Sequence, residues 1–237
     1  MSRFIALFQR ATRRKPPRAL LNYDDMRLYD VTPFAAEIDL SAVEVVRWAP
    51  VWMSRAERLL LFALIFGLRP ARYLEIGTFK GGSALVVAGA MDASGSNGRI
   101  VCVDPKPQID PEHWKCLAHR TTLIIGRSPG VLPRAMAAAG GPFDFVLIDG
   151  DHSRVGVLRD ANGALPFVAD GAYLLFHDSL FTDVADGLRD FVAQNAHQIA
   201  DTGTLTREIT LQPVPEAEPI RWGGLRLMQV RRTLSAR

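Results

Sequence analysis

The stretch Tyr73-Leu74-Glu75-Ile76-Gly77-Thr78-Phe79-Lys80-Gly81-Gly82-Ser83 decides the fold. The run up to Ile76 reads as a buried strand, the glycines after it as a turn, and Gly82 as the opening of a helix. Glycine in such a turn lets the backbone come close to a ligand and points helix N-terminal amides at it. Glu75 at the strand end narrows the choice of ligand. A carboxylate there repels a pyrophosphate and suits a cationic amino group. The glycine spacing also departs from the G-x-G-x-x-G of dinucleotide sites.

Outward from this stretch, strands and helices alternate. Ser54 with Glu57 three residues on forms a capping box for a helix through Gly67, and Pro70 ends that segment. Strands are expected at 71–76, 99–104, 121–125, 143–149 and 172–176, with helices at 82–93, 129–139, 153–165 and 182–196 between or after them. Gly140-Gly141 closes the helix at 129–139. Segments 199–204 and 224–230 read as two closing strands around a loop, Pro213 to Pro219. This βαβ rhythm predicts an α/β, Rossmann-like, doubly wound sheet of seven strands, mostly parallel, with an antiparallel C-terminal strand and helices on both faces. Residues 1–53 form an expected N-terminal extension for acceptor or oligomer contacts, and 54–237 the ligand-binding domain.

Composition excludes several classes. With 237 residues, 48% hydrophobic and 22% charged, the chain has the make-up of one globular α/β domain with accessory elements. The net charge is only +3, and much of the basic excess lies at the ends: Arg10, Arg13, Arg14, Lys15 and Arg18, then Arg231, Arg232 and Arg237. No nucleic-acid surface is implied. Cys102 and Cys116 are the only cysteines, without a CxxC, which fits a reducing cytoplasm. The apolar stretch Phe4 to Phe8 is too short for a signal-peptide core. Leu59 to Leu68 is about half a membrane span and reads as a buried helix. Residues 1–15 carry the pattern of a basic amphipathic helix, so weak peripheral contact with a membrane stands as an expectation beside a packed or frayed arm.

In a parallel sheet ligands bind beyond the carboxyl ends of the strands. Glu75, Asp104, Asp149 and the pair His177-Asp178 all fall there. Asp104 suits vicinal ribose hydroxyls, with a turn cap ahead of Pro105 as its plainer reading. Gly126-Arg127-Ser128 would border an adenine, although Ser128 before Pro129 is an equally good helix cap. The run Asp149-Gly150-Asp151-His152-Ser153 crowds two carboxylates and an imidazole onto one turn, which a cation or shared proton would relieve. Asp149, His177 and Asp178 would together ligate one divalent ion, Mg²⁺ or Mn²⁺ by their oxygen-rich character. Local capping and hydrogen bonding is the alternative. The charge logic of the rim is that of S-adenosylmethionine (SAM).

On the motifs LEIGTFKGGSAL, VCVDP, FVLIDGDHSRVGVLRD and GAYLLFHDS, the chain resembles the class I SAM-dependent methyltransferases. Within them it is similar to the small O-methyltransferase branch of macrocin- and cephalosporin-pathway enzymes, from Ser54 to Val230. The resemblance implies that Glu75, Gly77, Thr78, Gly81, Gly82 and Ser83 line the methionine moiety of SAM and that Asp104 holds its ribose. Ser128 and Asp149 complete the expected cofactor set. It implies a metal, Mg²⁺, on Asp149, His177 and Asp178; His177 departs from the carboxylate or amide of many relatives. Asp151 is the expected catalytic base with His152 as its substitute, and a sugar or other polyhydroxylated small molecule is the expected acceptor. Trp48 and Trp52 would stack on such a ring, or form a lid or a contact within a homo-oligomer. A nicotinamide-dependent oxidoreductase and a non-catalytic SAM-binding protein are the competing readings.

Overall fold

The structure, a computed structural model, describes residues 41–232. Expectations placed on residues 1–40, the basic amphipathic arm among them, lie outside the described residues. A short 3₁₀ turn (Ser41–Glu44) leads into α1 (Val45–Trp48) and then α2 (Arg55–Leu68). Ser54 caps α2 through the predicted box, its hydroxyl accepting from Glu57 N while the Glu57 carboxylate accepts from Ser54 N. There follow β1 (Arg72–Ile76), α3 (Gly82–Ala93), β2 (Arg99–Asp104), α4 (Pro111–Leu117), β3 (Thr121–Ile125) and α5 (Leu132–Ala139). The chain continues through β4 (Phe143–Ile148), α6 (Arg154–Ala164), β5 (Val168–Phe176), α7 (Thr182–Asn195) and β6 (Ile199–Thr204). It closes with β7 (Thr210–Val214), β8 (Ala217–Trp222) and β9 (Arg226–Val230).

Seven strands form one sheet in the order β3-β2-β1-β4-β5-β9-β6. The five strands β1 to β5 are parallel, and β9 runs antiparallel to both β5 and β6. This is the predicted fold. The strand order reverses between β1 and β4, which opens a crevice at their carboxyl ends.

Period-two alternation divides the core between the two faces of the sheet. Leu74, Ile76, Val101, Val103, Val146 and Ile148 face α5, α6 and α7. Tyr73, Ile100, Cys102, Phe145 and Leu147 face α2 and α3. Val45, Ala49, Val51 and Met53 join this second core, so the described end of the expected extension packs with the domain.

Three local departures have physical reasons. The expected loop Pro213 to Pro219 is the separate hairpin β7-β8, whose turn places Glu216 at φ 58°. Its prolines mask the strand pattern, and a two-stranded ribbon tolerates them because half its backbone groups face outward. Helix α4 was not anticipated, although Asp110 caps it and Pro111 stands in its first turn; it is only seven residues long. Helix α5 begins at Leu132 rather than at Pro129, with Val131 at its N-cap, so Ser128 is not a helix cap.

At the C-terminus, Arg232 is not a free solvated charge. Its backbone N–H donates to Asp170, and its guanidinium donates to the carbonyls of Leu165 and Val168.

Candidate active site

The ladder extends one residue past the strands. Gly77 N–H donates to Val103 O (2.9 Å), Asp149 N–H to Ile76 O (2.9 Å) and His177 N–H to Ile148 O (3.2 Å). These bonds bring the ends of β1, β2, β4 and β5 to one level. Above them lies a cavity of about 500 Å³, within the range of small-molecule sites. Its wall includes Gly77, Thr78, Gly82, Ser83, Asp104, Ser128, Asp149, Asp151, His152, His177 and Asp178.

The glycine loop is built as its sequence demands. A Cβ on Gly77 (φ 94°) would stand 2.0 Å from the Asp149 carbonyl oxygen, and one on Gly82 would stand 2.5 Å from the Pro50 backbone. Gly81 (φ 75°) caps α3 in the left-handed region but lies outside the cavity wall. Phe79 also holds a positive φ, 46°, a strained conformation for a bulky side chain.

Glu75 is placed differently from its expected role. Its side chain lies fully buried on the α2/α3 face of the sheet, outside the cavity wall. Tyr73 Oη donates to Oε2 at 3.2 Å, and Oε1 has no hydrogen-bond partner. Burial pushes the Glu75 carboxyl up to about 8, with the hydroxyls of Ser83 and Thr78 only partly opposing it. Burial thus favours its neutral form, and the carboxyl lies behind the loop rather than on the cavity wall.

Asp149 is the ionised carboxylate that does reach the cavity. Burial alone would raise its pKa, yet the His177 and His152 imidazoles hold it below the usual range. His177 Nδ1 lies 3.1 Å and His152 Nε2 3.4 Å from Asp149 Oδ1. Asp178 is stabilised in the same way: burial opposes its ionisation, and His152 (3.0 Å) and His177 (3.2 Å) outweigh it. Gly223 N–H also donates to Asp178 Oδ1 at 2.6 Å. In return, Asp149 and Asp178 raise His152 to about 9. His177 is raised too, against the effect of its own burial.

Asp104 lines the cavity, and its carboxylate also builds the loops. Oδ2 accepts from Phe79 N (2.8 Å) and Oδ1 from Lys106 N (2.6 Å), so each oxygen retains one further lone pair for a ligand. Asp151 is exposed. It accepts from Ser153 N (3.0 Å), which with Arg159 at 3.6 Å holds its pKa low. Ser153 caps α6.

The metal expectation is altered by this geometry. Among the described residues, ligand atoms of Asp149, His152 and Asp178 lie within 4.8 Å of one another. His177 Nδ1 also lies 3.1 Å from Asp149 and 3.2 Å from Asp178, while its Nε2 is 3.5 Å from Glu57 Oε2. Two carboxylates and one imidazole fit a divalent cation. His152 Nε2 is buried between the two carboxylates, 3.0 Å from Asp178 and 3.4 Å from Asp149.

Sequence reasoning assigned Glu57 only to the helix cap; here it touches the site. Trp222 was also missed. It stacks on Phe181 (4.6 Å) and meets the His152 ring edge-on (5.5 Å). The only sequence signal for either is a lone residue far from the motifs. Trp52 is 78% exposed at the cavity mouth, edge-on to Phe79 at 5.5 Å, with Lys80 Nζ 5.8 Å from its ring. Trp48 stacks on His113 away from the cavity wall.

This sheet order, with a glycine loop after β1 and acids on the adjoining strand ends, is a Rossmann-like fold shared with solved O-methyltransferases. Residues 74–179 match the model of a methyltransferase domain family. A catechol O-methyltransferase of Niastella koreensis is 28% identical over 141 residues, covering 56% of this chain and 57% of that protein. The chain thus spans little more than half the length of that curated relative. Among solved structures, the O-methyltransferase TomG of Streptomyces achromogenes, involved in tomaymycin synthesis and solved with SAM, aligns with a TM-score of 0.57 at 21% identity. That alignment covers 85% of this chain and 94% of TomG. An O-methyltransferase of Bacillus cereus, solved with SAH, aligns with a TM-score of 0.55 at 18% identity, over 85% and 95% of the two chains. Among the described residues no helix is long and apolar enough to cross a membrane.

Proposed function

We propose that the chain is a SAM-dependent O-methyltransferase acting on a small hydroxylated ring compound. One observation carries the reading. The buried Thr78 and Ser128 hydroxyls make no aligned hydrogen bond, and both belong to the wall of the cavity that also holds the His152–Asp149–Asp178 charge cluster. Orphaned buried polar atoms cost about 1–3 kcal/mol each, so a wall that collects them is built for a polar ligand.

The assignments follow the charges. Asp149 takes the cationic amino group of SAM in place of Glu75, through Oδ2, which accepts no hydrogen bond among the described residues. Thr78, Gly82 and Ser83 border the methionine end, Asp104 the ribose and Ser128 the adenine. Glu75 and Gly81 support the loop from behind.

When bound, SAM supplies a methyl group activated on its sulfonium. The chain must align the acceptor oxygen with that carbon and take the hydroxyl proton. Alignment alone lowers such barriers by about 7–11 kcal/mol in favourable cases. His152 is the better-placed proton acceptor in its neutral form, which the Asp149 and Asp178 carboxylates hold back until the pH approaches about 9; Asp151 is held by Ser153 and Arg159 and is weakly basic. Asp149 and Asp178 would hold Mg²⁺, which would supply Lewis acidity at the acceptor oxygen and leave His152 beside it for the proton. The family resemblance favours a sugar acceptor. A vicinal aromatic diol is the second reading, favoured by the Trp52–Phe79 pair at the mouth and by the catechol O-methyltransferase of N. koreensis.

Isothermal titration with SAM, first in EDTA and then with Mg²⁺, tests the cofactor site. Micromolar binding in both is expected, and absence of binding in both would sink the reading. A panel of sugars and catechols with labelled SAM then tests the acceptor class.

A further inference from the structure

We propose that Glu57 is a positioning residue of the cofactor site, acting on Asp149 and Asp178 through His177. The inference rests on the SAM reading above and adds a residue outside the matched domain. Glu57 stands in the first turn of α2, almost wholly buried. Its Oε2 accepts from Ser54 N at 2.7 Å, completing the capping box, and lies 3.5 Å from His177 Nε2. Its Oε1 accepts from Gly224 N–H, in the turn joining β8 to β9.

A cap does not explain this arrangement. Glutamine serves a capping box as well as glutamate and carries no charge into the interior. Burying a carboxylate is costly unless it is paired and hydrogen-bonded. The pair is His177, whose other ring nitrogen lies 3.1 Å from Asp149 Oδ1 and 3.2 Å from Asp178 Oδ2. One imidazole thus spans from Glu57 to both carboxylates of the rim. Without the anion at its far end, the ring is held only through Nδ1, and its contacts to Asp149 and Asp178 lose their fixed direction.

Glu57 also joins three parts of the chain that are remote in sequence. Gly224 N–H binds Glu57, and the adjacent Gly223 N–H binds Asp178. Both glycines hold positive φ, 104° and 93°, and a Cβ on Gly224 would stand 2.7 Å from Leu180. The turn therefore ties Glu57 and Asp178 together through adjacent backbone amides.

Glu57→Gln separates the two roles. The amide oxygen can still cap Ser54 and face His177, but the negative charge is gone and the NH2 then faces the Gly224 N–H. The test is a double-mutant cycle in the full chain, with SAM affinity measured by isothermal titration for wild type, Glu57→Gln, His177→Asn and the double variant. We expect each single change to weaken SAM by about tenfold and the double variant to be no weaker than His177→Asn alone. Additive losses, or unchanged affinity in Glu57→Gln, would overturn the proposal. Ser54→Ala removes the other half of the cap; it should lower the thermal midpoint and leave SAM affinity intact. A loss of affinity matching that of Glu57→Gln would make the cap, not the charge, responsible, and would also overturn it. If Glu57→Gln fails to fold, Glu57→Asp enters the same cycle, since it keeps the charge and withdraws it by one methylene. A wild type that does not bind SAM rejects the cofactor reading itself, and this inference with it, before any variant is measured.

Discussion

The two halves of the rim solve the problem of a buried acid in opposite ways. On the β1 side, Glu75 has a phenol and two hydroxyls for neighbours and no cation, and burial pushes it up to about 8. On the β4–β5 side, Asp149 and Asp178 are also largely buried, yet two imidazoles keep both ionised. The first half contributes backbone shape and neutral donors. The second contributes fixed charge. A carboxylate beside a glycine loop is therefore not by position an anion for a ligand; its neighbours decide.

The largest expected effect tests that division directly. Asp149→Asn should lose SAM binding by at least about a hundredfold in isothermal titration, because a desolvated ammonium is left without its anion. Affinity within about threefold of wild type would move the ammonium elsewhere and erase the contrast between the halves. Gly77→Ala should be nearly as damaging for a different reason. Its Cβ would meet the Asp149 carbonyl oxygen at 2.0 Å, and the required shift pushes the two halves apart. A thermal midpoint and SAM affinity both at wild-type values would show that the loop relaxes freely.

Catalysis ranks next. His152→Ala should lower kcat by about 10²–10⁴-fold while changing SAM affinity little, as expected for removal of a proton acceptor. Asp151→Asn should have a much smaller effect on kcat. The reverse ranking in steady-state kinetics would return the base to Asp151.

The sheet was legible because its signals are local. Alternating apolar runs, the Ser54 box and the Gly140 cap each lie within a few residues, and strands 99–104 and 121–125 run as predicted. The rim acids were legible for the same reason, as residues ending strands. Which acid is ionised was not legible, since it depends on neighbours such as His177, which lies 102 positions beyond Glu75 and on the other half of the rim. Glu57 and Gly224 are hydrogen-bonded across 167 positions, and no spacing in the sequence announces that contact. The hairpin β7-β8 was hidden by prolines that would end a central strand but not an outlying ribbon.

The smallest effect on the ligand should come from Glu75→Gln, which sharpens the comparison from its neutral side. At pH 7 the substitution exchanges one neutral group for another, so SAM affinity should stay within about threefold. The stability of the two proteins should instead diverge with pH. The folded pKa of Glu75, about 8, stands above its unbound value of 4.5, so the folded state holds a proton that the unfolded state has lost between those limits. Its contribution is fully present below about pH 4.5 and is lost as pH rises through 8. Wild type should therefore lose stability relative to Glu75→Gln between pH 5 and pH 8 in denaturant titrations. A constant difference across that window would mean that Glu75 is ionised in the folded chain, and both halves of the rim would then carry charge.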